Sequence, residues 1–424
     1  MNAILSNPAN FTPVNPSTDS SDCLSHFYDV VIVGGGIVGL TLACGLRNSD
    51  LRVAVIESQT AQQAAGRQRA YAFSPVSARI LDGLGLWDEV GPQLTHFRRV
   101  KLSDADYRKA LTFKPEDGRG DAVYYSAEHT VLMRSLQSAV QSAADIDYWC
   151  ESQVLASPHA SPRASTTLLV DVKGEQTTFY TQLVVGADGA RSGVRDRANI
   201  KTFGWKYWQS CITAVLEPEE SHANTAYEKF WPSGPFAILP LPNNRCQVVW
   251  TAPHQEAKEM LALPKQQFLT ELSARYGDDM GGLTLVNEPM MFPVQLMQSK
   301  HYVKTGVALV GDAAHCCHPV GGQGLNMGIR DATALAEVLQ QAAARQEPLG
   351  CLKVLKRYER WRKTENWFTL SLTDFLNRSF SNRFLPLLVA RRLGIRVISG
   401  IGPLKRLILQ LMTGFFGRLP VKAK

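Results

Sequence analysis

Near its start the chain carries Gly34, Gly36 and Gly39 in a Gly-x-Gly-x-x-Gly pattern, with Glu57 placed 18 residues beyond the last glycine. Glycines so spaced allow a tight turn, close approach of the backbone to a pyrophosphate and packing of a helix on a sheet. The free N–H groups of the helix's first turn then face the phosphates, and an acid ending the next strand accepts hydrogen bonds from a ribose. That chemistry is dinucleotide binding. A glycine turn can also serve packing alone, and the pattern by itself does not separate FAD from NAD.

Two further stretches put an acid directly after an apolar run. They are Gly186-Ala187-Asp188-Gly189-Ala190-Arg191-Ser192 and Gly311-Asp312-Ala313-Ala314-His315. Each acid is expected at the carboxyl end of a strand, the edge where open α/β sheets bind ligands. Either alone is as readily an ordinary turn. After Asp312 the chain continues His318-Pro319-Val320-Gly321-Gly322-Gln323-Gly324-Leu325-Asn326 and then turns helical. A glycine-rich helix start presents N–H groups and a positive dipole end, which would steady the negative charge of a reduced flavin at its pyrimidine edge. An ordinary cap explains one glycine there, not three around a Gln.

His315, Cys316, Cys317 and His318 are all metal-ligand types. Adjacent residues seldom aim at one tetrahedral ion, however, and no Cys-x-x-Cys or His-x-x-x-His pair stands elsewhere, so no metal is expected.

The elements that must hold these residues follow from hydrophobic periodicity. Tyr28 to Val33 reads as a strand, Ile37 to Leu46 as a helix and Val53 to Glu57 as a second strand, together one βαβ unit. Val30 to Leu46 is uncharged, but its glycines break it where a strand should turn, which argues against a membrane span. A helix is expected over Thr130 to Ala144, a buried strand over Leu183 to Gly186, and strands over about Cys211 to Trp250. A polar helical stretch over His254 to Tyr276, a strand over Val307 to Val310 and a helix over Met327 to Ala344 complete the pattern.

The fold class is α/β: a Rossmann-like nucleotide domain with an inserted β-rich substrate domain and a helical C-terminal segment. The expected divisions are a disordered leader over 1–27, the nucleotide domain over 28–200 with part of the substrate lobe near 97–125, and the β-rich domain over 201–300. The nucleotide domain resumes over 301–365, and a helical basic segment fills 366–424.

With 45% hydrophobic and 20% charged residues over 424 positions, the composition excludes a largely disordered chain. Scattered cysteines and a leader rich in Asn, Pro, Ser and Thr fit a reducing cytoplasm. The net charge of +7 is local: ten Lys or Arg and no Asp or Glu fall between Phe375 and Lys424, which leaves −3 for the first 374 residues. A basic tail implies a local anionic partner and not nucleic acid.

The three glycine-acid motifs, in this order and at these separations, resemble the FAD-dependent aromatic hydroxylases of the p-hydroxybenzoate hydroxylase fold. Gly311-Asp312-Ala313-Ala314-His315 with Pro319 and Gly322-Gln323-Gly324-Leu325-Asn326 is most similar to the ubiquinone-biosynthesis hydroxylases, which act on polyprenylated phenols. The resemblance spans about Tyr28 to Pro420. It implies FAD as cofactor, NAD(P)H as a transient electron donor, O2 as co-substrate and an aromatic, lipid-tailed substrate. The flavin then does the chemistry, and no side chain is assigned a catalytic role. Arg69 matches the family's flavin-contacting arginine, Arg134 a second arginine near the cofactor, Asp312 the partner of the ribityl chain, and Asp188 the acid serving both FAD and the nicotinamide. Phe230 to Pro240 resembles the strand passing over the flavin, which makes Phe236 and Leu239 candidates for the substrate wall together with Pro319. Cys316 and Cys317 depart from the family's pattern.

After Pro403, apolar residues at Leu404, Leu407, Ile408, Leu411, Met412, Phe415, Phe416 and Leu419 keep helical spacing, flanked by Lys405, Arg406 and Arg418. Such a helix either lies on an anionic membrane or docks its stripe on the core. The resemblance tilts towards peripheral membrane contact. Rival readings are a flavin-dependent reductase or epoxidase of a prenyl lipid, and a non-catalytic flavin-binding partner. A halogenase would carry a Trp-x-Trp pair, absent here.

Overall fold

An apolar run bounded by glycines must be covered on both faces, and the first strand is: Val30, Val31 and Ile32 are fully buried. The computed structural model describes residues 25–105, 107, 109–156, 166–277 and 280–423. Strand Ser25–Val33 pairs in parallel with Val53–Ile56 on one side and Glu175–Gly186 on the other, and Glu175–Gly186 pairs in parallel with Val307–Leu309. Ile146–Trp149 extends the sheet beyond Val53–Ile56. Helix Ile37–Leu46 lies so close to helix Gln323–Ala344 that a side chain on Gly45 would meet Ala336.

The first strand begins at Ser25, so the last three residues of the expected leader belong to the sheet. Aromatic pairing across the strands holds them there: His26 sits edge-on to Trp149 and Phe179, and Phe27 stacks on Tyr180. The rest of the leader lies outside the described residues.

A second sheet takes strands Thr202–Pro218, Thr225–Trp231, Gly234–Pro240, Cys246–Pro253 and Met290–Ser299, with Arg99–Asp104 and Leu111–Phe113 added at one edge and His315–Cys316 at the other. Its outer face is covered by helices His254–Ala262 and Lys265–Tyr276 through Phe236, Ile238, Trp250 and Phe268. The polar stretch over 254–276 is two helices because Pro264 cannot continue the first and instead leads into the second. The inner face turns towards the nucleotide domain.

Three helices close the chain: Leu352–Phe380, Leu385–Gly400 and Gly402–Thr413. The first runs through the division expected at 365/366, so its early half packs on the nucleotide domain and its later half on the β-rich sheet. In the last, Leu409 is the buried apolar residue, with Ile408 and Met412 packed beside it, while Leu407 is exposed. Lys405 is bound to Asp117 at 2.6 Å. That helix therefore docks part of its apolar side on the core, turned from the face periodicity suggested.

Candidate active site

The first glycine motif divides its labour in space. Gly34 has φ +110°, a backbone conformation L side chains rarely adopt, and a Cβ there would lie 2.5 Å from the Ala187 carbonyl oxygen. A Cβ on Gly39 would lie 2.0 Å from Gly34 O. A Cβ on Gly36 would meet nothing within 4 Å. Gly36 is also the N-cap of helix Ile37–Leu46, with no side chain satisfying the first-turn N–H groups. Those donors face a cavity of about 440 Å³ whose lining includes Gly34, Gly36, Glu57 and Asp188. Glu57 is buried and accepts from Gly35 N and Gln59 N, each at 2.9 Å, which fixes its carboxylate at the cavity's edge. This is the cradle a dinucleotide's phosphates and ribose require.

Arg67, Arg191, Arg197 and His129 line the same cavity and were not singled out from the sequence. Arg67 could have been noticed as a cation two residues before Arg69. Asp188 accepts from Ser192 Oγ at 2.5 Å and Val194 N at 3.1 Å, so it caps the short helix Gly193–Arg197 as well as lining the cavity. Arg134 is exposed on helix His129–Gln141 and does not line this cavity.

Arg69 lines a second pocket of about 170 Å³ with Arg67 and Arg245, and its guanidinium lies 5.6 Å from the Phe292 ring centre. Asp312 is exposed in the turn Gly311–Ala313 that follows strand Val307–Leu309. The protein crowding its carboxyl pushes the pKa up, and His315 and Arg69 draw it back down. The turn that holds Asp312 is built from below. Asp331 accepts from His315 Nε2 at 2.5 Å, Arg362 Nε at 2.8 Å, Asn366 Nδ2 at 2.9 Å and Gly311 N at 3.2 Å. Burial raises the Asp331 carboxyl, but His315 and Arg362 outweigh it and hold the group well below the usual carboxylate range. Arg195 Nη1 joins this turn to the Asp188 turn by donating to both Ala190 O and Ala313 O. An acid within the apolar run of helix Gln323–Ala344 was the signal for Asp331; Arg362 and Arg195 gave none.

The second glycine loop, Pro319 to Asn326, is tied down by side chains. Gly322 has φ +60°, and a Cβ there would press on Ala72. Asn326 Oδ1 accepts from Ser74 N and Ser77 Oγ, and its Nδ2 donates to Ala72 O and Gly322 O. Gln323 Nε2 donates to Tyr124 Oη at 3.1 Å and Met412 O at 3.0 Å. Asn326 thus spends both ends of its amide within the protein and Gln323 spends its Nε2, so these two residues position the loop. Leu325 packs on the nucleotide-domain core, and Gly324 stands 3.8 Å, measured from a built Cβ, from Cys317 Sγ.

Strand alternation sorts the substrate-wall candidates. Phe236 belongs to the cluster under the outer helices and not to the face towards the loop, because successive side chains of a strand point to opposite sides. Ala237 and Leu239 take the inner face, Ala237 opposite Glu228 on the neighbouring strand. Pro319 is half-buried at the loop's start. The four side chains His315, Cys316, Cys317 and His318 diverge. Cys316 lies in a short strand beside Met297, Cys317 packs with Tyr207 and Met327, and His318 Nε2 meets Gln209 Oε1 at 3.3 Å. Burial holds His318 neutral, its pKa lowered to about 3.

A phosphate cradle joined through two acid turns to a glycine loop under a β-rich lid defines the class: a flavoprotein hydroxylase. Residues 27–368 match the family described as an FAD binding domain. Ubiquinone hydroxylase UbiL of Rhodospirillum rubrum is 37% identical, covering 94% of this chain and 92% of its own. The 3-demethoxyubiquinol 3-hydroxylase of Escherichia coli is 33% identical, covering 91% and 98%. Among solved structures, p-nitrophenol 4-monooxygenase PnpA from Pseudomonas putida superposes with a TM-score of 0.77 at 21% identity over 93% of this chain and 99% of that one, a likeness of fold. The chain belongs to the FAD-dependent aromatic hydroxylases of the p-hydroxybenzoate hydroxylase fold, in the group of the ubiquinone-biosynthesis hydroxylases. It is an FAD-dependent monooxygenase.

Proposed function

We propose that this protein hydroxylates the ring of a prenylated phenol in isoprenoid quinone biosynthesis, ubiquinone or plastoquinone, with NAD(P)H as donor and O2 as oxidant. The observation that carries the reading is the match, through nucleotide domain and β-rich lobe alike, to relatives named ubiquinone hydroxylase and 3-demethoxyubiquinol 3-hydroxylase. When bound and reduced, FAD supplies an oxygen atom from O2 to the ring. The chain's own residues do the rest. The Gly34–Gly39 turn, Glu57 and Asp188 hold the adenosine half. Asp312 and the backbone of Gly322 to Asn326 hold the flavin half, and Arg69 adds positive charge beside it. The inner face of the β-rich sheet, with Ala237, Leu239 and Pro319, holds the ring and excludes water.

The test is NAD(P)H oxidation and O2 uptake by the FAD-loaded protein with a panel of prenylated phenols. Coupled acceleration with a hydroxylated product is expected. Nicotinamide loss without O2 uptake makes the protein a reductase, and FAD binding without turnover makes it a scaffold.

A lipid-tailed substrate also suggests where the protein sits. Among the described residues no helix is long and apolar enough to cross a membrane. Leu385, Val389, Leu393, Val397 and Ile401 recur every fourth residue and are all exposed, from 43% to 68%. The opposite side of that helix is clamped by Arg391 and Arg392 on Asp104, at 2.8 and 2.9 Å. Arg383, Arg396 and Arg406 are exposed nearby, and no acid follows Asp374. An apolar stripe rimmed by cations fits an anionic lipid surface, with Leu385–Gly400 replacing the last helix as the contacting element. Val389→Glu with Leu393→Glu should abolish co-sedimentation with anionic vesicles; equal binding to neutral vesicles, or self-association through this stripe, overturns it.

A further inference from the structure

The inner face of the β-rich sheet holds one carboxyl that none of the roles above uses. Glu228 lies in strand Thr225–Trp231, opposite Ala237 on one neighbour and Leu102 on the other, and is 8% exposed. Its Oε1 accepts a long hydrogen bond, 3.3 Å, from Gly321 N in the loop between Pro319 and Gly322. Among the described residues no cation stands within ion-pair distance of it. Two other buried acceptors lie on the loop and on the sheet. His318 Nδ1, in the chain entering that loop, and Gln247 Oε1, on the strand beyond Ala237 and Leu239, have no partner. Buried acceptors left unpaired are costly unless a ligand brings donors to them. A wall that offers acceptors fits a ring that enters carrying a hydroxyl donor.

We propose that Glu228 is the proton acceptor for the ring hydroxyl of the aromatic substrate. The inference rests on the reading of that substrate as a phenol. The substrate's O–H bond breaks, its proton passes to the Glu228 carboxylate, and the electron pair stays on the ring oxygen. The negative oxygen enriches the ring carbons ortho and para to it, where an electrophilic oxygen is received. When the hydroxylated ring regains aromaticity, its C–H proton passes to water, the C–H electron pair restores the ring, and Glu228 returns the borrowed proton to the first oxygen. The carboxyl ends as it began.

Burial raises Glu228 from 4.5 to about 7, with the Gly321 hydrogen bond pulling the other way. A base that titrates near neutrality can both take and release a proton at working pH. The titratable groups about it are Tyr124 before the strand Tyr125–Glu128, His318 in the loop, Arg330 on the helix after it and Asp104 on the neighbouring strand. Tyr124 is held neutral by burial, His318 is neutral, and Asp104 is bound by Arg391 and Arg392. Lys101 and Lys229 lie on the sheet's other face, against Tyr227 and Tyr276.

Two measurements test the proposal on the FAD-loaded protein. In infrared difference spectra at about pH 8, adding a short-chain prenylphenol to wild type should raise a protonated-carboxyl band that Glu228→Gln lacks. No such band in wild type overturns the assignment, whether or not the variant folds. In turnover, Glu228→Gln should keep its flavin absorbance yet hydroxylate about 100-fold more slowly. Wild type should slow below about pH 7 on a limb that the variant lacks, and Glu228→Asp or a more acidic phenol should recover part of the rate. A Gln variant with the wild-type rate and pH profile overturns the proposal. If wild type itself hydroxylates no phenol, the functional reading fails instead.

Discussion

The molecule has two glycine-led helix starts that look alike in the chain and are built differently. Helix Ile37–Leu46 begins at Gly36 with open space in front of it, and every part of its motif lies between Gly34 and Glu57. Helix Gln323–Ala344 begins at Gly322, and its loop is fastened by Ala72, Ser74, Ser77, Tyr124, Glu228 and Met412. In the function proposed, the first grips phosphates, which need only backbone donors and a positive helix end. In the same proposal the second faces the reacting ring, where a small displacement is expensive in rate, which fits its being braced from several parts of the chain.

That contrast can be broken by substitution. The largest effect should come from Asp331→Ala, which leaves Arg362 and His315 buried beside one another without their acid. A loss of about 3–5 kcal/mol is expected, together with loss of FAD. A melting temperature equal to wild type would remove Asp331 from the support of the Asp312 turn.

Next is a pH-dependent gain in Glu228→Gln. The folded protein keeps the Glu228 proton up to about 7, whereas the unfolded chain releases it near 4.5. The native state therefore binds more protons across that window, and wild type loses stability as pH rises through it. Gln does not titrate. The variant should be more stable than wild type by up to about 3 kcal/mol near pH 8 and equal to it near pH 4. A pH-independent difference in denaturant midpoint contradicts this.

Asn326→Ala should cost about 2 kcal/mol and weaken FAD binding in the same step, because it frees the loop from the Ala72–Ser77 segment. Undiminished FAD affinity in calorimetry would mean that the loop needs no such brace. The smallest change belongs to the first motif. Gly36 has ordinary φ, −78°, and room for a Cβ, so Gly36→Ala should leave the apoprotein's melting temperature unchanged. FAD affinity should nevertheless fall about tenfold, or ~1.4 kcal/mol, because the methyl occupies the phosphate's space. Fold and ligand affected together at the second loop, and ligand alone at the first, is the result that upholds the comparison.

Much of the first motif was legible because its signal is local. An apolar strand, three glycines and an acid at fixed spacing leave one arrangement open, and the structure places Gly34, Gly36, Glu57 and Asp188 around one cavity. The second loop was legible only as a glycine-rich helix start. Asn326 and Gln323 are bound to residues more than 190 positions away in the chain, which no spacing reveals. Phe236 was placed on the ring's side, but an unbroken apolar strand gives no sign of which alternate residues face the pocket. Apolar spacing marked a helix after Pro403, yet which side would dock depended on Phe97, Phe113 and Tyr124 arriving beneath Leu409.

By itself the sequence determined the α/β class, the dinucleotide cradle and the flavin-hydroxylase resemblance, since each depends on backbone conformation and short-range periodicity. Tertiary structure alone decided which buried polar groups act together: Asp331 with His315 and Arg362, and Glu228 with the Gly321 loop. Desolvation and hydrogen bonding across the core set the charge of such groups, and both depend on what the fold brings alongside them.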